Sequence, residues 1–299
     1  METKFRLSDS TLQQLVSDRR EEVIQLQKSE ADQLAAMETR GQERIKLLKK
    51  NLPKDILTTL ESFDVAHQQA ADLAKSQDDA EVEILKASKP AEANETSIFP
   101  DSISGQFITA RAIGTITPYY GTLHGSDGRV FWQGYNPGNM DFFLNANGAG
   151  SGLFGSGAGS YTMYMDWWFV YRPGVSRNYS HRVSVPFHGF YIIKADDGFW
   201  DSKEAKVGIN LSTVGYQYNY KQTATTNVFS MGNDNINVND RFDGWRSMYY
   251  STLFGGGDQA YVRVTASFNV YARGGGSTAR LNFGDGAANY LGMPSIYVD

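Results

Sequence analysis

The sequence predicts a segregated α+β protein, in which a long N-terminal helical region precedes an all-β antiparallel sandwich of jelly-roll type. The first observation is a change in composition near residues 90–100. Residues 1–98 hold 33 of the 61 charged residues, a single glycine, and no Trp or Tyr. The remaining residues hold 29 glycines, all 5 Trp and all 17 Tyr. The other two observations are an eleven-residue apolar repeat before this change and a period of two after it.

The helical region is predicted over residues 1–88 as an oligomerisation or docking region. A helix can begin at either of two N-cap serines, Ser8 or Ser10. Eleven residues in three turns give 3.67 residues per turn, which predicts a coiled-coil-like bundle that is nearly straight or slightly right-handed. Two apolar rows repeat at this spacing: Leu12, Val23, Leu34, Ile45 and Ile56, then Leu15, Leu26, Met37 and Leu48.

The apolar stripe of this helix is narrow and lies between charged residues, so an isolated helix would be only marginally stable in water. It therefore needs a partner. Pro53 interrupts the pattern and suits the first turn of a second helix. Two arrangements stay open: an intrachain hairpin, or helices that run end to end and assemble with other copies. We expect a homo-oligomer, for which a trimer is suitable, through residues 9–86.

The prolines near residues 90 and 100 predict a linker over residues 89–100, followed by the sandwich over residues 101–299. The clearest strand is Tyr261–Tyr271, where apolar side chains alternate with polar ones. Similar alternation occurs within 181–193 and 206–213. About eight to ten strands without intervening helices are typical of an antiparallel sandwich.

One strand, YTMYMDWWFVY over residues 161–171, contains a single acid in an otherwise uncharged run. With a period of two, Asp166 lies on the same face as Tyr164 and Trp168. An acid between two aromatic rings resembles a sugar-binding surface, so these three residues form a candidate glycan site. Trp132 and Tyr135, near a Pro-Gly turn, extend the candidate set. The alternative is a buried Asp166 that backbone donors or an arginine, Arg172 or Arg182, satisfy.

Metal and cofactor sites are not expected. His181 and His188 are seven residues apart and would project from opposite faces of one strand. The segment GNDNINVND offers a weak calcium candidate in Asp234, Asn237 and Asp240, but it lacks the glycine and terminal glutamate of an EF-hand. A polar loop is the favoured interpretation.

Composition excludes several classes of function. A formal charge of −5 disfavours a nucleic-acid partner. No apolar stretch is long enough for a transmembrane helix, and the N-terminus has no signal-peptide pattern. The absence of cysteine excludes thiol catalysis and disulfides.

The hypothesis is a non-enzymatic structural or adhesive component of an extracellular or virion-type assembly. In it the helices multimerise and the sandwich binds a glycan or a neighbouring protein. One alternative is a secreted toxin with a receptor-binding β domain. Another is a carbohydrate-active enzyme that uses Asp166, Glu204 or Asp243.

Overall fold

The structure is a computed structural model that describes most of both halves of the chain. It covers residues 10–63, scattered positions from 65 to 80, 95–97, 114–124, 130–136, 141–149, 158–195, 203–274, 277–283, 289–293 and 295–299. For the strands at 95–97, 130–136 and 141–149 it describes the backbone alone.

Helix α1 spans Ser10–Asn51, and its 42 residues correspond to a length of about 63 Å. The chain then turns at Pro53, and residues 54–63 are helical again. Lys49 Nζ lies 2.9 Å from Glu61 Oε1, although a straight helix would separate them by about 18 Å. The chain therefore bends sharply at Pro53. The hairpin and the assembly with other copies both stay predictions.

Fourteen strands follow among the described residues: β1 (Glu95–Ser97), β2 (Gly114–Ile116), β3 (Tyr120–His124), β4 (Val130–Asn136), β5 (Asp141–Ala149), β6 (Ala158–Tyr171), β7 (Arg177–Ala195), β8 (Glu204–Gln217), β9 (Tyr220–Asn233), β10 (Ile236–Phe254), β11 (Ala260–Arg273), β12 (Thr278–Asn282), β13 (Tyr290–Gly292) and β14 (Ile296–Val298). They form two sheets with antiparallel pairing. Sheet A has the order β1-β3-β6-β11-β8-β9.

Sheet B is built around the long strand β7. Strand β10 pairs with β7 along 19 residues, from Ile236 opposite Ala195 to Phe254 opposite Arg177. The other edge of β7 pairs in succession with β14, β13 and β12. Those short strands pair in turn with β2 and β5, and β4 completes the sheet beside β5.

The core lies between the sheets and is rich in aromatic rings. Phe187 of β7 approaches Phe268 of β11 with 6.4 Å between ring centroids, and Phe283 lies 5.7 Å from Phe268. All three side chains are fully buried. Alternate residues of β11, including Val262, Val264 and Ala266, complete this layer as the sequence pattern predicts.

The antiparallel sandwich with an N-terminal helix is confirmed. The predicted strand count was too low because the structure includes three-residue strands, which have no recognisable sequence period. Strand β1 also lies inside the predicted 89–100 linker and pairs with β3. The rest of that linker lies outside the described residues. The eleven-residue coiled coil and the jelly-roll connectivity stay predictions.

Candidate functional site

Asp166 lies on the outer face of sheet A, and the first half of α1 covers it. Leu12 and Val16 of α1 belong to the same buried cluster as the sandwich residues. Arg19, one turn further along, is 5% exposed and Asp166 is 0% exposed. Helix α1 therefore uses its narrow stripe, with Arg19 in the middle, to pack on its own sandwich.

The Asp166 carboxylate is held by several groups at once. Arg19 donates from Nε to Asp166 Oδ2 over 3.0 Å, and His124 Nε2 lies 3.2 Å from the same oxygen. Thr265 donates a hydrogen bond to Oδ1. Arg263 Nε lies 3.9 Å from Oδ1, which is beyond hydrogen-bond distance. Two arginines, a histidine and a hydroxyl thus surround one buried acid.

Electrostatics keep this acid ionised. Burial alone opposes the charged form of Asp166, but the charges of Arg19 and Arg263 outweigh burial, so the pKa of Asp166 is well below its usual value. Burial likewise lowers the pKa of Arg19, whereas Asp166 raises it, and the net change in the Arg19 pKa is upward. The pair is therefore charged at all ordinary pH values.

The predicted glycan residues of β6 take part in this packing. Trp168 is fully buried, and Tyr164 lies under Arg19, whose guanidinium carbon is 5.0 Å from the ring centroid. Burial is the main reason that the pKa of Tyr164 rises to about 12. While α1 is in place, a ligand cannot reach Asp166 or Trp168. The side chains of Trp132 and Tyr135 lie outside the described residues.

The partner of Asp166 differs from the two arginines that the sequence suggested. Arg172 and Arg182 are both exposed, and Arg182 belongs to the opposite sheet. Sequence reasoning missed Arg19 because 147 positions separate it from Asp166. The available signal was its position: Arg19 interrupts the apolar stripe between Val16 and Val23, at a place where an unpaired charge could not be buried.

A cleft of about 210 Å³ opens beside α1 over the uncovered part of sheet A. Its lining combines cations, hydroxyls and one acid: Arg19, Glu22, Tyr164, Ser212, Val214, Lys221, Thr223, Thr225, Arg263, Thr265 and Ser267. The alternation in β11 predicts that Arg263, Thr265 and Ser267 share one face, but it could not show that they border a cavity.

A second candidate lies on the outer face of sheet B, where large aromatic side chains are exposed. Trp245 is 59% exposed, Tyr249 is 74% exposed and Tyr297 is 39% exposed. Arg182 of β7 lies between Tyr249 of β10 and Tyr297 of β14 in the strand register. Its guanidinium carbon is 6.0 Å from the Tyr249 ring centroid and 5.3 Å from that of Tyr297. We call Trp245, Tyr249, Tyr297 and Arg182 the aromatic face.

The other acids proposed for catalysis do not join Asp166. Glu204 is in ion pairs with Lys206 and Arg273. Asp243 lies on sheet B, where Arg241 Nε is 2.7 Å and His188 Nδ1 is 3.4 Å from its carboxylate.

The calcium candidate is divided by the strand geometry. Asn237 and Asp240 pair with Lys194 and Tyr191 in an uninterrupted register, so their side chains lie on opposite faces of β10. Asp234 lies in the turn before β10, where its backbone N–H donates to Asn233 Oδ1. Within the described part of the chain, no group of three His, Cys, Asp or Glu residues could hold a metal ion.

The two predicted histidines do face opposite sides of β7. His181 is buried, and its Nε2 shares a 2.8 Å hydrogen bond with the Tyr171 hydroxyl. His188 is partly exposed beside Asp243. Burial lowers the pKa of His181 to about 4, so it is neutral in the folded protein at neutral pH.

No protein-family model matches the chain, and no curated protein matches it. Several solved structures are similar to part of it. TmCBM61 in complex with beta-1,4-galactotriose matches with a TM-score of 0.24 and 10% identity, over 60% of this chain and 87% of that chain. A CBM4 structure matches with a TM-score of 0.21 and 10% identity, over 62% of this chain and 99% of that chain. Arthrobacter globiformis T6 isomalto-dextranase complexed with panose matches with a TM-score of 0.23 and 11% identity, over 64% of this chain and 24% of that chain. At these TM-scores the similarity carries no argument about the ligand of this chain.

No helix of the described region is both long enough and apolar enough to cross a bilayer.

Proposed function

We propose that this protein is a non-enzymatic structural or adhesive component whose sandwich binds glycans through the aromatic face. The observation that carries the proposal is the exposure of Trp245, Tyr249 and Tyr297 on one sheet surface. A folded chain gains free energy by burying such rings, at about 25 cal/mol per Å² of apolar area, so a cluster left in water marks a binding surface.

The chemistry of the aromatic face suits a sugar better than a fully apolar partner. Ring faces can pack on the C–H side of a pyranose, while Tyr hydroxyls and the Arg182 guanidinium can hydrogen-bond its hydroxyl groups. Ser184 and Ser247 share a 2.8 Å hydrogen bond between the aromatic residues and add further polar groups. The surface thus offers stacking and hydrogen bonding together.

The spacing along β10 favours an extended ligand. Trp245 and Tyr249 are four residues apart on one strand, which separates them by about 13 Å. Since this is wider than one pyranose ring, a ligand that touches both rings is an oligosaccharide.

A binding role, without turnover, is consistent with the placement of the acids. Asp166 is buried and paired with Arg19. Glu204 and Asp243 are also in ion pairs and lie on different sheets. Glycoside hydrolysis generally needs two carboxyl groups that flank one bond, about 5 to 10 Å apart.

Self-association is the second part of the proposal. Leu26 is 41% exposed and Met37 is 36% exposed, and both belong to the second eleven-residue row of α1. The first row faces protein at Leu12 and Val23, and Leu15 of the second row also packs against the sandwich, so the exposed part of the second row begins at Leu26. We assign that exposed part to contacts between copies in an extracellular or virion-type assembly.

The test is a glycan array on the full chain, followed by titration of the best oligosaccharide. Trp245→Ala and Tyr249→Ala should each weaken binding about tenfold or more, because each removes one stacking surface. Tyr218→Ala is the matched control, since Tyr218 is also 74% exposed but lies in the turn between β8 and β9. It should bind as the unmodified chain does.

The same samples are then assayed for release of reducing sugar, and we expect none. Binding that survives both aromatic substitutions would contradict the proposed face. Release of sugar would contradict the non-enzymatic role. If the array shows no binding but the aromatic face captures a second protein, the head is a protein-binding module.

A further inference from the structure

The cleft beside α1 lies on the opposite side of the sandwich from the aromatic face. The strand registers bring its residues into rows across sheet A. Thr265 of β11 is opposite Ser212 of β8, and Ser212 is opposite Thr225 of β9. The next row joins Arg263, Val214 and Thr223 in the same way. Four strands and a helix therefore build this surface jointly.

The charges around the cleft do not cancel. Three cations, Arg19, Lys221 and Arg263, line it together with Glu22, and Asp166 lies directly below. Arg19 bridges Asp166 at 3.0 Å and Glu22 at 3.1 Å. The lining residues and Asp166 together comprise two acids and three bases, and so carry one positive charge in excess. Glu30, whose charge also acts on Tyr164, accepts a hydrogen bond from Thr162. The excess favours a ligand with a single negative charge.

Arg263 has a donor that the fold leaves unused. The residue is 4% exposed, and its Nε makes no hydrogen bond within the described residues. The guanidinium carbon lies 5.6 Å from Trp168 and 6.0 Å from Tyr216, so two rings hold it in place. The Nε itself has almost no exposed surface and lies 3.9 Å from Asp166, and Nη1 lies 3.6 Å from Glu22, so both contacts are longer than a hydrogen bond. A ligand carboxylate would pair with the guanidinium nitrogens that line the cleft.

The size and lining of the cleft restrict the ligand further. Its volume of about 210 Å³ is several times what one water needs and more than a simple inorganic anion needs. Hydroxyl groups from Ser212, Thr223 and Thr225 line it, and these can pair with ligand hydroxyls. Glu22 also lines it and would repel a doubly charged phosphate.

We infer that this cleft binds a carboxylate-bearing sugar. Its carboxylate would accept hydrogen bonds from Arg263 and Lys221, and its hydroxyl groups would pair with the Ser and Thr hydroxyls and with Glu22. This site is independent of the aromatic face, so either can exist without the other.

The test is isothermal titration of the full chain with glucuronic acid and with N-acetylneuraminic acid. Glucose, sodium acetate and inorganic phosphate serve as comparison ligands. We expect at least one acidic sugar to bind about tenfold or more tightly than any of the three, because only an acidic sugar uses both the cations and the hydroxyls. Binding should weaken as salt is added.

Two substitutions at exposed positions test the location without disturbing the core. Lys221→Gln and Thr223→Val should each weaken binding of the acidic sugar several-fold. Lys194 is an exposed lysine on sheet B, and Lys194→Gln should leave this binding unchanged. Trp245→Ala should also leave it unchanged, which separates this site from the aromatic face.

Arg263→Gln should abolish binding of the acidic sugar. Because Arg263 is buried, the thermal unfolding of this variant is compared with that of the unmodified chain to check that it folds. The inference is overturned if no acidic sugar binds, if glucose or acetate binds equally well, or if Lys194→Gln weakens binding as much as Lys221→Gln does.

Discussion

At the scale of single residues, the ion pair of Arg19 with Asp166 determines how the two halves of the chain meet. Both side chains are at least nine-tenths buried, and the acid also contacts His124 and Thr265. A buried pair of this kind adds little net stability compared with apolar residues, because two charges must be desolvated. We expect it to contribute specificity instead, because Arg19 is the residue of α1 that pairs with the acid.

Removing one partner should be costly. Arg19→Ala leaves the Asp166 carboxylate without its closest cation, and we expect a loss of about 3 kcal/mol in the free energy of unfolding. Arg19→Ala combined with Asp166→Asn removes both charges and should cost much less than the two single losses added together. Urea unfolding of the single and double variants gives these values. Additive losses would mean that the two residues are not coupled.

The presence of Asp166 in an apolar strand was visible in the sequence, but its partner was not. The period of two correctly placed Met163, Met165 and Trp167 in the core. It could not show that a helix covers the other face, because periodicity describes one strand and says nothing of what packs on it. The glycan interpretation of Tyr164 and Trp168 followed from treating that face as open to solvent.

At the scale of elements, the apolar positions of α1 have two kinds of surroundings: Leu12, Leu15 and Val16 pack against the sandwich, and several later positions are exposed. Leu12 is 0% exposed in the sandwich cluster, whereas Leu26, in the second row, is 41% exposed. The sequence showed both rows with the same spacing. Only the position of the sandwich distinguishes them, so intrachain packing and assembly between copies could not be separated in advance.

These two leucines form a matched pair for experiment. Leu12→Ala should lower the free energy of unfolding by about 2 to 4 kcal/mol, because it leaves a cavity against sheet A. Leu26→Ala should change it by less than about 1 kcal/mol but should reduce self-association. Thermal unfolding and light scattering of both variants measure the two effects. A larger stability loss for Leu26→Ala would show that Leu26 also packs within the chain.

Strand β10 shows a similar limit of sequence reasoning. Its alternating exposure places Arg241, Trp245 and Tyr249 on one outer face. The sequence contained these residues, but Tyr297 and Arg182 come from β14 and β7, and only the sheet order places them beside β10. Residues that belong to distant strands form the face, and no single stretch of sequence contains it.

At the scale of the whole molecule, composition was sufficient to predict the helical and sandwich halves. It predicted them as a rod joined by a linker to a separate head, because the helical half has a narrow apolar stripe and no Trp or Tyr. The structure instead places the start of α1 on sheet A, with Leu12, Val16 and Arg19 buried. We therefore conclude that α1 is part of the folded head.

Distance measurement between spin labels tests this claim most directly, since the chain has no cysteine of its own. Labels at Gln25→Cys on α1 and Ser230→Cys on β9 report the position of the helix over sheet A, in samples diluted with unlabelled chain. Lys194→Cys with Ser230→Cys gives a reference width within the sandwich. We predict one short distance between the Gln25→Cys and Ser230→Cys labels, with a distribution about as narrow as that of the reference pair. A broad or long distribution would show that α1 leaves the sheet and would contradict the account.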